Sequence, residues 1–280
     1  SVTVDLATLS SSAGSIIQGG AVHDFIGVSV SSAGDVNGDG FGDIIIGAPY
    51  SSGAADESGA AYVIFGKASG FGTDVDGRLV FDLAGLTADQ GFIIQGETAI
   101  DWTGTSVSSA GDVNGDGFDD LIIGAPHKDD GGGSAGDAYV IFGTASGFGA
   151  QVAGQQVLSL STLSASQGFV IKGDASGDQA GWSVSSAGDV NGDGFDDLIV
   201  GAPKNDDGGD KAGDAYVVFG TASGFGSTVA GQRVIDLGTL TASQGFVIQG
   251  IEWSNENGSW GEWTGYSVSS AGDVNGDGFD

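Results

Sequence analysis

Three stretches of the chain gather the side chains best suited to chemistry. The first is Asp35-Val36-Asn37-Gly38-Asp39-Gly40-Phe41-Gly42-Asp43, and it recurs as Asp112 to Asp120 and as Asp189 to Asp197. A fourth copy opens at Asp273 and has reached its eighth position at Asp280. Counted from the first aspartate, side-chain oxygens stand at positions 1, 3, 5 and 9. Glycine at position 6 allows a sharp turn, and position 7 can turn its carbonyl inward. Such a set is an oxygen cage with flexible geometry, which favours Ca²⁺ over Mg²⁺, an ion that demands a tight octahedron. Thiolate-seeking metals are excluded, because the chain has no cysteine and the loops no histidine. The candidate ligands are Asp35, Asn37, Asp39 and Asp43 with the Phe41 carbonyl; Asp112, Asn114, Asp116 and Asp120 with that of Phe118; Asp189, Asn191, Asp193 and Asp197 with that of Phe195; and Asp273, Asn275 and Asp277. The expected role is structural: the ion neutralises clustered carboxylates and fixes the turn. The competing reading is an ordinary turn, since Asp, Asn and Gly are common turn formers; three copies with every ligand position filled weigh against it.

The loop is not an EF-hand. Position 12 should be a bidentate Glu, but it is Ile46, Ile123 or Val200. Each loop runs at once into an apolar segment ending in Gly-Ala-Pro, as in Ile44-Ile45-Ile46-Gly47-Ala48-Pro49, which predicts a buried strand.

What positions the loops is a repeat. Asp35, Asp112 and Asp189 are 77 residues apart, and Asp273 lies 84 further on, with the surplus between Gly250 and Tyr266. The chain therefore reads as one repetitive region, 1–280, in units 1–77, 78–154, 155–231 and a partial 232–280. Within a unit four strands are expected: Ser106 to Ala110, Leu121 to Gly124, Ala138 to Phe142 and Gly168 to Ile171. Between the last two, the excursion Gly143 to Gln167 is expected to form a short helical turn or an extra strand. Four short strands per unit and no long helical period predict an all-β fold, a β-propeller of four-stranded antiparallel blades. A β-helix of calcium-binding nonapeptides would need cation motifs every nine or eighteen residues.

The run Ala-Gly-Asp-Val-Asn-Gly-Asp-Gly-Phe-Asp-Asp-Leu-Ile-Ile-Gly-Ala-Pro resembles the FG-GAP repeat of integrin α-subunit propellers and their bacterial relatives. The FG half is matched by Phe25-Ile26-Gly27, Trp102-Thr103-Gly104 and Trp263-Thr264-Gly265, and the GAP half by Gly47-Ala48-Pro49, Gly124-Ala125-Pro126 and Gly201-Ala202-Pro203. The resemblance implies calcium between the first and second strands of a blade. It also implies partner binding on the opposite face, and a ring of seven blades, of which this chain holds about three and a half. A lone fourth-type strand is expected before the complete blades and a lone first-type strand after them. The chain is then part of a longer repetitive protein, whose open sheet edges would allow self-association.

Seven Lys and Arg against 37 Asp and Glu give a net charge of −30, which repels nucleic acid and anionic membranes and attracts cations. No apolar run approaches a membrane span, and Ser1 to Asp5 does not read as a signal peptide. Weak loops of this kind suit millimolar Ca²⁺, so an extracellular or cell-surface location is expected. In the strand 2–3 loops, Asp129-Asp130 and Asp206-Asp207 read as solvated turn carboxylates, with a second cation or a partner as the alternative. The insert Ile251 to Trp263 carries Trp253 and Trp260, which have no counterparts in the other units and are candidate ligand-binding residues. Trp263, like Phe25 and Trp102, holds a motif position and is expected to pack. No catalytic residue is expected, because His23 and His127 stand at unrelated places. The leading expectation is a calcium-binding adhesion module with a cell-surface or matrix protein or glycan as partner. The alternatives are a purely structural or self-assembling surface repeat, and an accessory domain of a secreted hydrolase.

Overall fold

The β-branched apolar run after each acidic loop becomes the second strand of a blade, buried along its length. The computed structural model describes residues 9–11, 13–129, 133–222, 224–255 and 258–280, and side chains outside 253–260. After β1 (Ser15–Gln18), the first repeat forms β2 (Val30–Gly34), β3 (Asp43–Ala48), β4 (Ala60–Ile64), β5 (Thr73–Val75), β6 (Arg78–Asp82) and β7 (Gly91–Gln95). The second forms β8 (Ser106–Gly111), β9 (Asp120–Ala125), β10 (Asp137–Ile141), β11 (Ala150–Val152), β12 (Gln155–Ser159) and β13 (Gly168–Lys172). The third forms β14 (Ser183–Gly188), β15 (Asp197–Ala202), β16 (Asp214–Val218), β17 (Ser227–Val229), β18 (Gln232–Asp236) and β19 (Gly245–Gln249), and a hairpin, β20 (Glu252–Asn255) with β21 (Gly258–Gly261), follows.

Each blade is the antiparallel meander expected: β2-β3-β4-β7, β8-β9-β10-β13 and β14-β15-β16-β19. The excursion forms a hairpin that joins the neighbouring blade. The β11–β12 hairpin lays β12 parallel against β7 of the preceding blade, with Val157 beside Ile93, and β18 lies likewise against β13, with Val234 beside Val170. The first two blade sheets are thereby six-stranded, and each is built from two repeats. After each hairpin the chain makes one 3₁₀ turn, Leu83–Gly85, Leu160–Thr162 or Leu237–Thr239, so the excursion is both a strand and a helical turn. β1, the expected fourth-type strand, pairs parallel with β6 in the same manner. The expected first-type strand near the other end is not formed. Residues 266–270 are irregular, although the Val268 amide still donates to Ser183 Oγ at 3.0 Å.

The core lies between blade faces. The period-2 alternation of β9 divides it between two clusters. Leu121 and Ile123 join Ile45, Val63 and Phe92 of the first blade, whereas Ile122 joins Leu198, Val200 and Val218 of the third. Aromatic residues reinforce the exchange between repeats: Phe148 stacks on Phe92 at 4.0 Å and Phe225 on Phe169 at 4.1 Å. These stacked blades make a partial β-propeller. No helix among the described residues is long and apolar enough to cross a membrane.

Candidate metal centres

The three complete acidic loops link the first strand of a blade to the second, at the same end of each sheet, and they share one conformation. The carboxylate of Asp35 gathers three backbone amides: Oδ1 accepts from Gly38 (2.8 Å) and Asp39 (3.0 Å), and Oδ2 from Gly40 (2.8 Å). Asn37 Oδ1 accepts from the Asp39 amide at 2.9 Å, and Asp39 Oδ1 from the Phe41 amide at 2.9 Å. The pattern repeats around Asp112 and Asp189, and also around Asp273, where Gly276, Asp277 and Gly278 supply the amides. Glycine at position 6 adopts φ of +87° to +94° in all four copies, the left-handed backbone that the turn requires.

The ninth residue behaves differently. Asp43, Asp120 and Asp197 open the second strands and are almost fully buried. Asp120 Oδ2 accepts from the Val113 amide at 3.0 Å, and its Oδ1 from Gly143 at 2.8 Å. Asp43 and Asp197 make the equivalent pairs. Burial pushes the carboxyl of Asp120 up to about 8 and those of Asp43 and Asp197 up to about 6, and the neighbouring aspartates at positions 5 and 1 add to the rise. The loops thus bring together oxygens at positions 1, 3 and 5, while position 9 ties the loop to the sheet. Among the described residues, no three acidic or histidine side chains are spaced to hold a metal ion by themselves. The donor set is nonetheless all oxygen, the chemistry of a hard cation, and Asn37 and the Phe41 carbonyl extend it beyond carboxylates.

Position 8 carries the contact that the reading for metal ligands passed over. Asp119 reaches back to the preceding blade, where its Oδ2 accepts the backbone amide of Asp35 at 2.7 Å. Asp196 does the same for Asp112 at 2.8 Å, and Asp280 for Asp189 at 3.3 Å. The ring of Phe118 lies over Gly38, and that of Phe195 over Gly115, where any Cβ would overlap the ring. Each loop is therefore latched to the next by an aspartate and a phenylalanine. The first loop has Gly42 at position 8, and its Phe41 is exposed. The signal was available in the sequence: Asp stands at position 8 in every copy but the first.

At the opposite end of each blade two glycines meet. Gly104 donates to the Gly124 carbonyl at 2.9 Å, and the Gly104 carbonyl in turn lies where a Cβ on Gly47 of the preceding blade would fall. Gly124 stands in the same relation to Gly181, and Gly201 to Gly265. The residue two before each of these, Phe25, Trp102, Gln179 or Trp263, is left-handed with φ of +52° to +58°. This glycine-on-glycine seam is what the two halves of the repeated motif build, and residues 27–64, 103–141 and 180–218 match the FG-GAP repeat family. The chain carries three FG-GAP repeats. It is 36% identical over 135 residues to "Integrin alpha pat-2" of Caenorhabditis elegans, a match covering 43% of this chain and 9% of that protein. It is 34% identical over 118 residues to "Integrin alpha-PS2" of Drosophila melanogaster, covering 40% and 7%. The chain spans less than a tenth of the length of these curated relatives.

Around the FG-GAP seam, Phe25, Tyr50 and Trp102 form an edge-to-face line with centroids 5.1 and 5.0 Å apart, and His127 continues it 4.1 Å from Trp102. Phe25 and Trp263 pack on tyrosines yet stay exposed at 61% and 43%. His127 meets Ser134 Oγ at 3.4 Å and the Gln179 amide at 3.1 Å, so its second nitrogen faces an amide where a catalytic triad has a carboxylate. Trp253 and Trp260 are cross-strand partners in the β20–β21 hairpin, and their side chains lie outside the described residues, as does Asp130. Asp206 and Asp207 are exposed, as expected of turn carboxylates.

Proposed function

We propose that this chain is a calcium-stabilised FG-GAP propeller segment that acts outside the cell as a binding module for a protein or glycan. The observation that carries the reading is the loop itself. Three copies wrap the first aspartate in backbone amides and present only oxygen donors, and each ends on a buried aspartate surrounded by further negative charge. Asp35, Asn37, Asp39 and Asp43 with the Phe41 carbonyl would hold one ion, and the sets beginning at Asp112 and Asp189 would hold two more. A bound divalent ion would supply the positive charge that these loops otherwise lack. Its part is to stabilise the turn, and the binding role falls to the opposite face. Similarity to integrin α chains supports the adhesion reading, and loops without the twelfth-position Glu suit the millimolar calcium of extracellular fluid. The 77-residue units would then be successive segments of a larger ring.

Thermal unfolding of the chain in calcium-free buffer, in millimolar Ca²⁺ and in millimolar Mg²⁺ tests the reading. One site held at 100 times its dissociation constant adds about 2.7 kcal/mol. A calcium-specific rise in Tm of several degrees is expected, reduced when Asp116→Asn removes one ligand. Equal melting in the three buffers would overturn the calcium assignment.

A further inference from the structure

The end of the blades opposite the acidic loops offers a comparison that the repeat makes possible. In the second blade, Lys128 is buried with 3% of its surface exposed, its ammonium lies 3.0 Å from Glu97 and 3.6 Å from Asp101, and Tyr139 Oη donates to Glu97 Oε1 at 3.5 Å. Seventy-seven residues on, the third blade keeps the acids but not the base: Asp174 replaces Glu97, Asp178 replaces Asp101, Tyr216 matches Tyr139, and Asn205 stands where Lys128 did. Asn205 is as buried as the lysine and recovers part of its bonding, donating to Asp178 Oδ2 at 3.0 Å and to Tyr216 Oη at 3.1 Å. It brings no charge. Asp214, with 1% of its surface exposed, accepts from the Gly250 amide on Oδ1 at 3.1 Å, and its Oδ2 is buried with no hydrogen-bond partner. Asp214 lines a cleft of about 360 Å³ together with Asp174, Asp207, Tyr216, Leu237 and Leu240.

We propose that this cleft of the third blade binds a primary ammonium group from outside the chain, the lysine side chain of a partner protein, in the place that Lys128 fills in the second blade. An unpartnered buried carboxylate oxygen costs free energy that a cation recovers. The second blade shows which cation the surroundings accept. An ammonium is favoured over a metal ion because the equivalent place in the second blade is filled by the Lys128 ammonium. Leu237 and Leu240 supply apolar wall of the kind along which lysine methylenes lie. Burial, and after it the repulsion of Asp207, Asp178 and Asp174, raises the Asp214 carboxyl to about 6, and a cation among these acids relieves both. The first blade has Ser51 for the base and Ala60 for the acid, so it forms no such site. The inference concerns the end of the sheet away from the acidic loops and does not depend on their holding calcium.

The test follows the Gly250 amide by NMR in the full chain at saturating Ca²⁺. The probes are Nα-acetyl-lysine methylamide and the same compound acetylated on Nε. The charged probe is expected to shift the Gly250 resonance saturably, and the acetylated one to leave it in place. Asn205→Lys, which restores the second blade's own arrangement, is expected to abolish the shift and raise Tm. Asp214→Asn is expected to weaken binding at least tenfold. Equal response to both probes, or undiminished binding by folded Asn205→Lys, would overturn the proposal. So would a Gly250 resonance that responds saturably to Ca²⁺ added to calcium-free protein and not to the amine, which would make the cleft a metal site.

Discussion

Replacing Asp119 with alanine isolates the latch between blades. The side chain makes one short charge-assisted bond, to the amide of Asp35 at 2.7 Å, and stands half-buried between the two loops. A hydrogen bond to a charged group contributes about 1.5–3 kcal/mol, and the Asp35 amide loses its acceptor when the carboxylate goes. A loss of about 2 kcal/mol in a chain of this size corresponds to a fall in Tm of about 4–8 °C. The chain carries a net charge of −30, so removing one negative charge would by itself raise Tm slightly at low salt. Asp119→Asn, which keeps an acceptor oxygen and drops the charge, separates the two effects and should lose less than half as much. Gly42→Asp adds the same carboxylate at the equivalent place in the first loop, into open space, and should change stability by no more than about 0.5 kcal/mol. Differential scanning calorimetry at two salt concentrations is the assay. A second readout is directional: calcium affinity should fall at the Asp35 loop, whose amide is released, rather than at the loop that contains Asp119. Refutation would be an Asp119→Ala variant melting within 1 °C of the parent at both salt concentrations.

Three further outcomes follow from geometry already described. Burial raises Asp120 to about 8 and Asp43 and Asp197 to about 6, above about 3.9 for an unfolded aspartate, so the folded state binds the extra protons. In calcium-free buffer this stability is fully present near pH 4 and is lost as the pH rises through 6 and then 8. Urea midpoints at pH 5 and 8 should show it, and Asp120→Asn should flatten the upper part; a midpoint that rises toward pH 8 contradicts the burial account. Gly124→Ala would drive a methyl group into the Gly181 carbonyl of the next blade, and overpacking of this kind costs about 1–3 kcal/mol; an unchanged denaturation midpoint would show that the seam can open. Phe148→Ala removes a buried ring, contributed by the second repeat, from its stack on Phe92 of the first, and should cost about 3–5 kcal/mol in a urea titration.

The blades were legible in the sequence because their strands are local and periodic: Leu121-Ile122-Ile123 between an acidic loop and Gly-Ala-Pro leaves little choice of structure. The oxygen positions of the loops were legible for the same reason, since an Asx-rich turn is written in consecutive residues. What crosses from one repeat to another was not. The β11–β12 hairpin joins β7 through pairing of Val157 with Ile93, 64 residues earlier, and three-residue β11 has no periodicity to announce it. Asp119 was passed over because its partner is a backbone amide 84 residues away, and a backbone amide leaves no mark on a sequence. Spacing alone marks Asp43, Asp120 and Asp197 as candidate ligands, and it does not reveal that each fastens its loop to the sheet through two amides. The loss of Lys128 at Asn205 is visible in an alignment of the repeats, but it acquires meaning only when Asp174, Asp178 and Asp214 are seen around it.

The latches and hairpins all reach in one direction, toward the preceding blade, so the seams of the folded object do not coincide with the seams of its sequence. A single 77-residue cassette, cut where the sequence repeats and moved to another scaffold, would leave the fourth strand of its blade without the hairpin of the next repeat. It would also carry an aspartate aimed at a neighbour it no longer has. A segment that carries both contacts made to one blade runs instead from that blade's first strand through the excursion hairpin of the next, as from Val30 to Ser159. Shuffling, duplication or deletion of repeats would preserve these contacts only when whole segments of that kind are exchanged. Gly42 shows what a loop looks like when it makes no backward claim, although the hairpin of its repeat still reaches back to β1.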